Sequence, residues 1–326
     1  MDVNIAEPDS PAAEILIGIS ACLLGQQVRF DGGHKHDRYI TDILGQYFRF
    51  VPVCPEVEIG MGVPREAVRL TGTPESPQML GSRTGTDWTD QMTAFADKRV
   101  RQADLQGLSG YILKKDSPSC GMERVKLHRP SGMPEKTAVG LYARALLAGH
   151  PLLPVEEEGR LNDPRLRENF IERVFAYHRL QTLMAGPFRR GAVVAFHAAN
   201  KYLILAHSPR HYTLLGRLVA DIKSHRPAQF RDAYSALFME AMAIKATPSK
   251  HHNVLLHILG YVKDHLDAAD KKYILNVCED YRRGLTPLIV PLTLIKLFLG
   301  KHDIPYIAGQ TYLNPHPKEL LLRNHV

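Results

Sequence analysis

Three short apolar runs are each followed by a cysteine within a few residues, and this feature constrains the chain more than any other. Ile15-Leu16-Ile17-Gly18-Ile19 leads into Ser20-Ala21-Cys22-Leu23-Leu24-Gly25, and Phe50-Val51-Pro52 leads into Val53-Cys54-Pro55-Glu56. Gly110-Tyr111-Ile112-Leu113 leads into Lys114-Lys115-Asp116-Ser117-Pro118-Ser119-Cys120-Gly121. The runs read as buried strands, and strand ends are where α/β proteins keep their chemistry. A thiol between Ser-Pro-Ser and a glycine is poorly suited to packing, because its neighbours form turns and Gly121 lets the backbone approach whatever the sulfur touches. Thiolates ligate zinc and iron–sulfur clusters, and three brought together leave a fourth position open. The spacings, 32 residues from Cys22 to Cys54 and 66 from Cys54 to Cys120, match no C-x-x-C rule, so a shared metal site and unrelated buried thiols both stay open. Cys278 differs, since Ile274, Val277, Cys278 and Tyr281 fall on one helical face and read as core.

A length of 326 residues suggests two domains. Up to residue 155, apolar runs alternate with helical patterns near 36–46, 88–107 and 138–148, which favours an α/β domain with a mainly parallel sheet. The glycine-rich stretches 31–34 and 59–65 complete no phosphate-loop or dinucleotide fingerprint. Prolines, an acidic run and a glycine cluster over 151–159, where the domain boundary is expected. Beyond it the period becomes helical. Asp163-Pro164 and Ser208-Pro209 are helix starts, and further patterns cover 192–206, 228–244, 253–266, 268–283 and 288–299. The expected organisation is a flexible arm over 1–14, an α/β domain over 15–159 and an all-α domain over 160–326, whose proline-containing tail, 303–317, is expected to lie extended over the surface.

Charge separates along the chain. Residues 1–155 hold 17 Lys and Arg against 18 Asp and Glu, whereas residues 156–326 hold 24 against 16 and twelve of the sixteen histidines. A polyanionic partner and a merely solvated basic surface both fit this excess. The first fourteen residues show no basic region followed by an apolar one, so no export signal and a cytoplasmic location are expected. The most apolar later stretch, 285–299, is broken by Pro287, Pro291 and Lys296 and is too short to span a bilayer. Four scattered cysteines without an export signal argue against a disulfide framework.

Ser20-Ala21-Cys22-Leu23-Leu24-Gly25, Asp31-Gly32-Gly33-His34, Cys54-Pro55-Glu56 and Ser117-Pro118-Ser119-Cys120-Gly121, in this order, resemble the thiouracil desulfidase family over about residues 13–158. The basic helical half resembles a companion domain found fused to it, an arrangement similar to that of bacterial tRNA 4-thiouridine desulfidases. The resemblance implies a [4Fe–4S] cluster held by Cys22, Cys54 and Cys120 with one iron open to the substrate's sulfur, and a hydrolytic, non-redox conversion of 4-thiouridine in tRNA to uridine. It also implies that Glu56 is the catalytic acid or base, and it raises His34 as a substrate contact. A free-base thiouracil desulfidase, and a non-enzymatic iron–sulfur protein that binds RNA and senses redox state, are the alternatives.

Ser117 is a second candidate for proton transfer, placed above Ser119, which abuts a ligand. Lys114, Lys115 and Arg65 are candidates for holding a phosphate or offsetting the charge of a cluster. In the helical half Arg189, Arg190, Lys201, Arg210, Arg217 and Lys250 are the candidate tRNA contacts, of the kind that hold phosphates without reading sequence.

Overall fold

The computed structural model describes residues 14–129, 133–302 and 304–326, so the arm expected over 1–14 falls outside it except for Glu14. Two compact units divide between Glu158 and Gly159. In chain order the first carries β1 (Leu16–Ser20), β2 (Arg49–Val53), α1 (Pro55–Glu58), β3 (Val68–Gly72), β4 (Pro77–Gly81), α2 (Thr89–Arg99), α3 (Ala103–Gln106), β5 (Gly110–Leu113), β6 (Val125–His128), β7 (Glu135–Ala138), α4 (Leu141–Gly149) and β8 (Val155–Glu157).

The first sheet has the order β2-β1-β5-β8 with every pairing parallel, as the apolar runs lead one to expect. Its central strands β1 and β5 are almost wholly buried, which is why they are nearly continuous runs of apolar residues. Gly18 is required here. It pairs with Tyr111 on β5, and a Cβ at Gly18 would stand 2.2 Å from that ring. A second, mixed sheet of order β4-β3-β6-β7 does not show as apolar runs, because its strands are short and alternate. On β6, Val125 and Leu127 are buried while Lys126 is exposed.

Local departures from expectation have simple causes. The helix expected over 88–107 is two, α2 and α3, and the one over 36–46 is a π turn (Tyr39–Ile43) followed by a 3₁₀ turn (Leu44–Gln46). The acidic run is not a linker: Glu156 and Glu157 lie on β8, each only 6% exposed. Their burial is possible because the carboxylates accept backbone N–H groups, Glu157 Oε1 from Met122 at 2.8 Å and Glu156 Oε1 from Glu157 at 2.9 Å.

The second unit is helical throughout: α5 (Pro164–Ala185), α6 (Arg190–His207), α7 (Pro209–Ala220), α8 (Pro227–Ala243), α9 (Pro248–Val262), α10 (Ala268–Arg282), α11 (Ile289–Lys301) and α12 (Pro305–Ala308). The start signals act as expected. Asp163 Oδ1 accepts from the N–H groups of Arg165 and Leu166, Ser208 Oγ from that of His211, and each proline takes the first helical position. Phe230, Tyr234 and Phe238 stack along α8 in the core, with ring centroids 5.7 and 6.0 Å apart. Cys278 is fully buried on α10. The tail is not an extended surface segment. Ile307 and Tyr312 are completely buried, and Arg323 reaches inward to Glu172 at 3.0 Å, so apolar and charged anchors spaced along the tail outweigh its prolines. No helix among the described residues is long and apolar enough to cross a membrane.

Candidate active site

All three cysteines of the first unit leave the same edge of the first sheet. Register pairs Ser20 with Val53 and Ile19 with Ile112, so β2, β1 and β5 end level at their carboxyl ends, the position at which open α/β sheets bind ligands. Cys22 follows in a 3₁₀ turn (Ala21–Leu24), Cys54 caps α1 just before Pro55, and Cys120 closes the turn after β5. That turn is built by Ser117, whose Oγ accepts from the N–H of Ser119 at 3.3 Å and of Cys120 at 3.1 Å. It also requires a glycine opposite, since a Cβ at Gly140 would stand 2.5 Å from the carbonyl oxygen of Ser119.

The three thiols line one cavity of about 390 Å³, together with Glu56, Arg65, Lys114, Lys115, Asp116 and Ser117. Burial pushes the Cys22 thiol up to about 11, with Cys54 adding to the effect and Lys114 and Arg29 opposing it. Burial also raises Cys54, and raises Cys120 well above the usual range, with both other thiols contributing repulsion there. Three mutually repelling thiols that are hard to ionise alone are the donor set for a cationic centre, which deprotonates its thiol ligands. No group of three His, Cys, Asp or Glu side chains among the described residues is arranged to hold a single metal ion. Three soft thiol donors lining one cavity fit the chemistry of an iron–sulfur group.

Glu56 enters the cavity from α1 and is fixed from two directions. Arg65 Nε donates to its Oε2 at 2.9 Å, with Nη2 on the same oxygen, and Ser119 Oγ donates to Oε1 at 2.6 Å. Arg65 itself is anchored, its Nη1 donating to the carbonyls of Val28 at 3.0 Å and Gly62 at 2.9 Å. Lys114 pairs with Glu158, whose other oxygen accepts the Lys115 N–H at 2.7 Å, so the acidic run pins the loop that carries Cys120. His34 is exposed and does not line the cavity, where its neighbour Lys35 does. Arg29, Arg69 and Lys126 also line it, so that seven Lys or Arg face two carboxylates, Glu56 and Asp116. Alternation on β6 places Lys126 and His128 on one face, a signal that becomes legible once the second sheet is known.

Residues 17–158 match the family model for 2-thiouracil desulfurase, and residues 201–317 match that for a protein of unknown function, DUF1722. The uncharacterised protein YbgA of Escherichia coli K12 is 32% identical over 167 residues, which cover 50% of this chain and 98% of YbgA. The first half of the chain belongs to the thiouracil desulfurase family. Its desulfurase domain is fused to a DUF1722 companion. The uncharacterised protein YbbK of Bacillus subtilis 168 is 29% identical over 153 residues, covering 45% of this chain and 99% of YbbK. The solved structure of the [4Fe-4S]-dependent thiouracil desulfidase TudS is 33% identical, covers 46% of this chain and 94% of that chain, and has a TM-score of 0.37.

The basic residues singled out in the companion domain are not equivalent. Arg189, Arg190, Arg210 and Arg217 are exposed, and none of them forms an ion pair among the described residues. Lys250 is occupied within the fold, its Nζ donating to the carbonyls of His207 at 2.7 Å and Lys245 at 3.3 Å. Lys201 lies over two aromatic rings, 4.8 Å from the centroid of Tyr202 and 4.7 Å from that of Tyr306.

Proposed function

We propose that this desulfurase removes sulfur from 4-thiouridine in tRNA, with a [4Fe–4S] cluster on Cys22, Cys54 and Cys120. The observation that carries the reading is the convergence of three thiols and Glu56 in one cavity whose lining is strongly basic. When bound, such a cluster supplies an iron without a protein ligand, a soft Lewis acid for the sulfur of a thiocarbonyl. The chain's own residues supply the rest. Glu56 takes a proton from the water that attacks the ring carbon, and the hydrogen bond from Ser119 with the ion pair to Arg65 keeps its carboxylate aimed. Water replaces sulfur on a carbon whose oxidation state does not change, so a thiocarbonyl and water give a carbonyl and hydrogen sulfide with no electron donor.

A polynucleotide substrate is favoured over a free base by charge. Divided at Glu158, the first unit holds 17 Lys and Arg against 21 Asp and Glu, and the second 24 against 13. A net acidic unit nevertheless gathers seven cations around its cavity, and its companion has an excess of 11. The test is anaerobic purification, iron and sulfide counting, and incubation with thiolated tRNA and with free 4-thiouracil. Cys22→Ala, Cys54→Ala and Cys120→Ala should each lose the brown chromophore, and Cys278→Ala should keep it. Release of sulfide from free 4-thiouracil but not from tRNA would overturn the substrate, and RNA binding with no sulfide from either would overturn the enzyme.

A further inference from the structure

Lys201 sits in α6 beside three tyrosines, Tyr202, Tyr261 and Tyr306. Its ammonium lies over the rings of both Tyr202 and Tyr306. The rings of Tyr261 and Tyr306 lie 5.7 Å apart and are 42% and 44% exposed, whereas Tyr202 is 4% exposed. Two rings are thus presented to solvent, and a buried ring with a central cation holds them in place. A cation committed to two rings in this way is a poor phosphate ligand but a good support for exposed aromatic rings, here tilted 40° to each other.

The surface continues along the helix. Arg190, Val194, His197 and Lys201 recur every third or fourth residue and so share one face of α6, with Arg190 and Val194 exposed. At 1.5 Å per residue, Arg190 stands about 16 Å from Lys201, a span that a few nucleotides of single-stranded RNA cover. We propose that this face is a single-strand platform: an unpaired tRNA base stacks on Tyr261 and Tyr306, Lys201 holds the rings, and Arg190 takes a phosphate of the same strand. This rests on the tRNA reading above and adds which part of the RNA the companion domain recognises. Exposed stacking rings together with the unit's excess of 11 positive charges match the way proteins hold unpaired nucleotides. Charge alone would suit a duplex equally well. Exposed rings suit unpaired bases, because the faces of bases in a duplex are covered by stacking on their neighbours.

The full-length, cluster-loaded protein is titrated with thiolated tRNA, with oligouridylate and with an RNA duplex over a range of salt. Tyr261→Ala and Tyr306→Ala should each weaken tRNA and oligouridylate binding by about tenfold or more with an unchanged salt slope, while Tyr→Phe at either position binds normally. Arg190→Ala should instead lower the salt slope by about one. Sulfide release from free 4-thiouracil should be unaltered in all of these variants. Alanine variants of native helicity that bind tRNA and oligouridylate as the parent does would overturn the platform while leaving tRNA as the substrate. So would a parent protein that prefers the duplex to oligouridylate. A parent protein that binds no tRNA even at low salt would overturn both proposals.

Discussion

Glu56, Ser117 and Ser119 show how two serines two residues apart come to different work. Ser117 has its oxygen turned to the N–H groups of the turn that carries Cys120, whereas Ser119 is fully buried and donates to Glu56. On the proposed mechanism, Glu56→Gln should retain its cluster and lose about a hundredfold or more in kcat, the usual worth of a positioned acid–base group. Ser119→Ala should also keep the cluster and lose rate to a smaller extent. Ser117→Ala leaves two turn N–H groups without an acceptor and should lower cluster retention. Iron counting with single-turnover sulfide release separates these outcomes. A Ser117→Ala protein with full iron and depressed kcat, alongside a normal Ser119→Ala, would return the chemical role to Ser117. The thiols and Glu56 are legible in the sequence because strand ends and turn formers frame them. The Ser119 contact is not, since it depends on α1 facing a loop 63 residues later.

Elements built from long periodic segments are read from sequence more fully than short ones. The three apolar strands and the proline-started helices appear where the pattern puts them, β1 and β5 almost wholly buried and β2, at the sheet edge, buried only at Val53. The second sheet, β8 and the folded tail escape the pattern. Their stability comes from distant partners: the backbone that Glu157 accepts from, and the buried carboxylates that Arg323 meets. Such partners make the helical unit sensitive to acid. His251 on α9 is buried with its Nδ1 3.0 Å from the Tyr312 hydroxyl; burial holds it at about 3, with the nearby Arg323 contributing. The folded state thus keeps His251 neutral while the unfolded chain, at 6.5, takes up a proton, so this stability is present at neutral pH and is lost as pH falls from 6.5 toward 3. Glu172 acts in the same sense. Burial alone would raise it, but His207 and Arg323 outweigh burial and hold it well below the usual carboxylate range. Between pH 7 and pH 5 the His251 contribution should fall by about 2 kcal/mol. Urea midpoints followed by helical circular dichroism measure it, and His251→Asn, although less stable throughout, should show a clearly smaller loss over that interval. An unchanged pH dependence would assign the acid sensitivity to other groups.

Taken whole, the molecule divides its charge between a net acidic unit with a basic cavity and a basic helical unit. The separation predicts what removal of residues 159–326 should do. Each unit is compact and has its own core, so the first unit is a candidate folding unit by itself. On free 4-thiouracil, which carries no phosphate, fragment 14–158 should turn over as the full chain does. On tRNA the fragment loses an excess of 11 positive charges and keeps only the cations around its cavity. Because binding to a polyanion is driven by counterion release, its affinity should drop by about a hundredfold or more at moderate salt, and the slope of log affinity against log salt should flatten by several units. The rate at saturating tRNA should change little, since contacts that position a substrate act mainly on binding. Iron content of the fragment, measured first, separates lost docking from lost folding. A fragment with full iron that desulfurates tRNA with the parent's KM and salt slope would show that the cavity's own cations suffice, and would remove the helical unit from substrate binding.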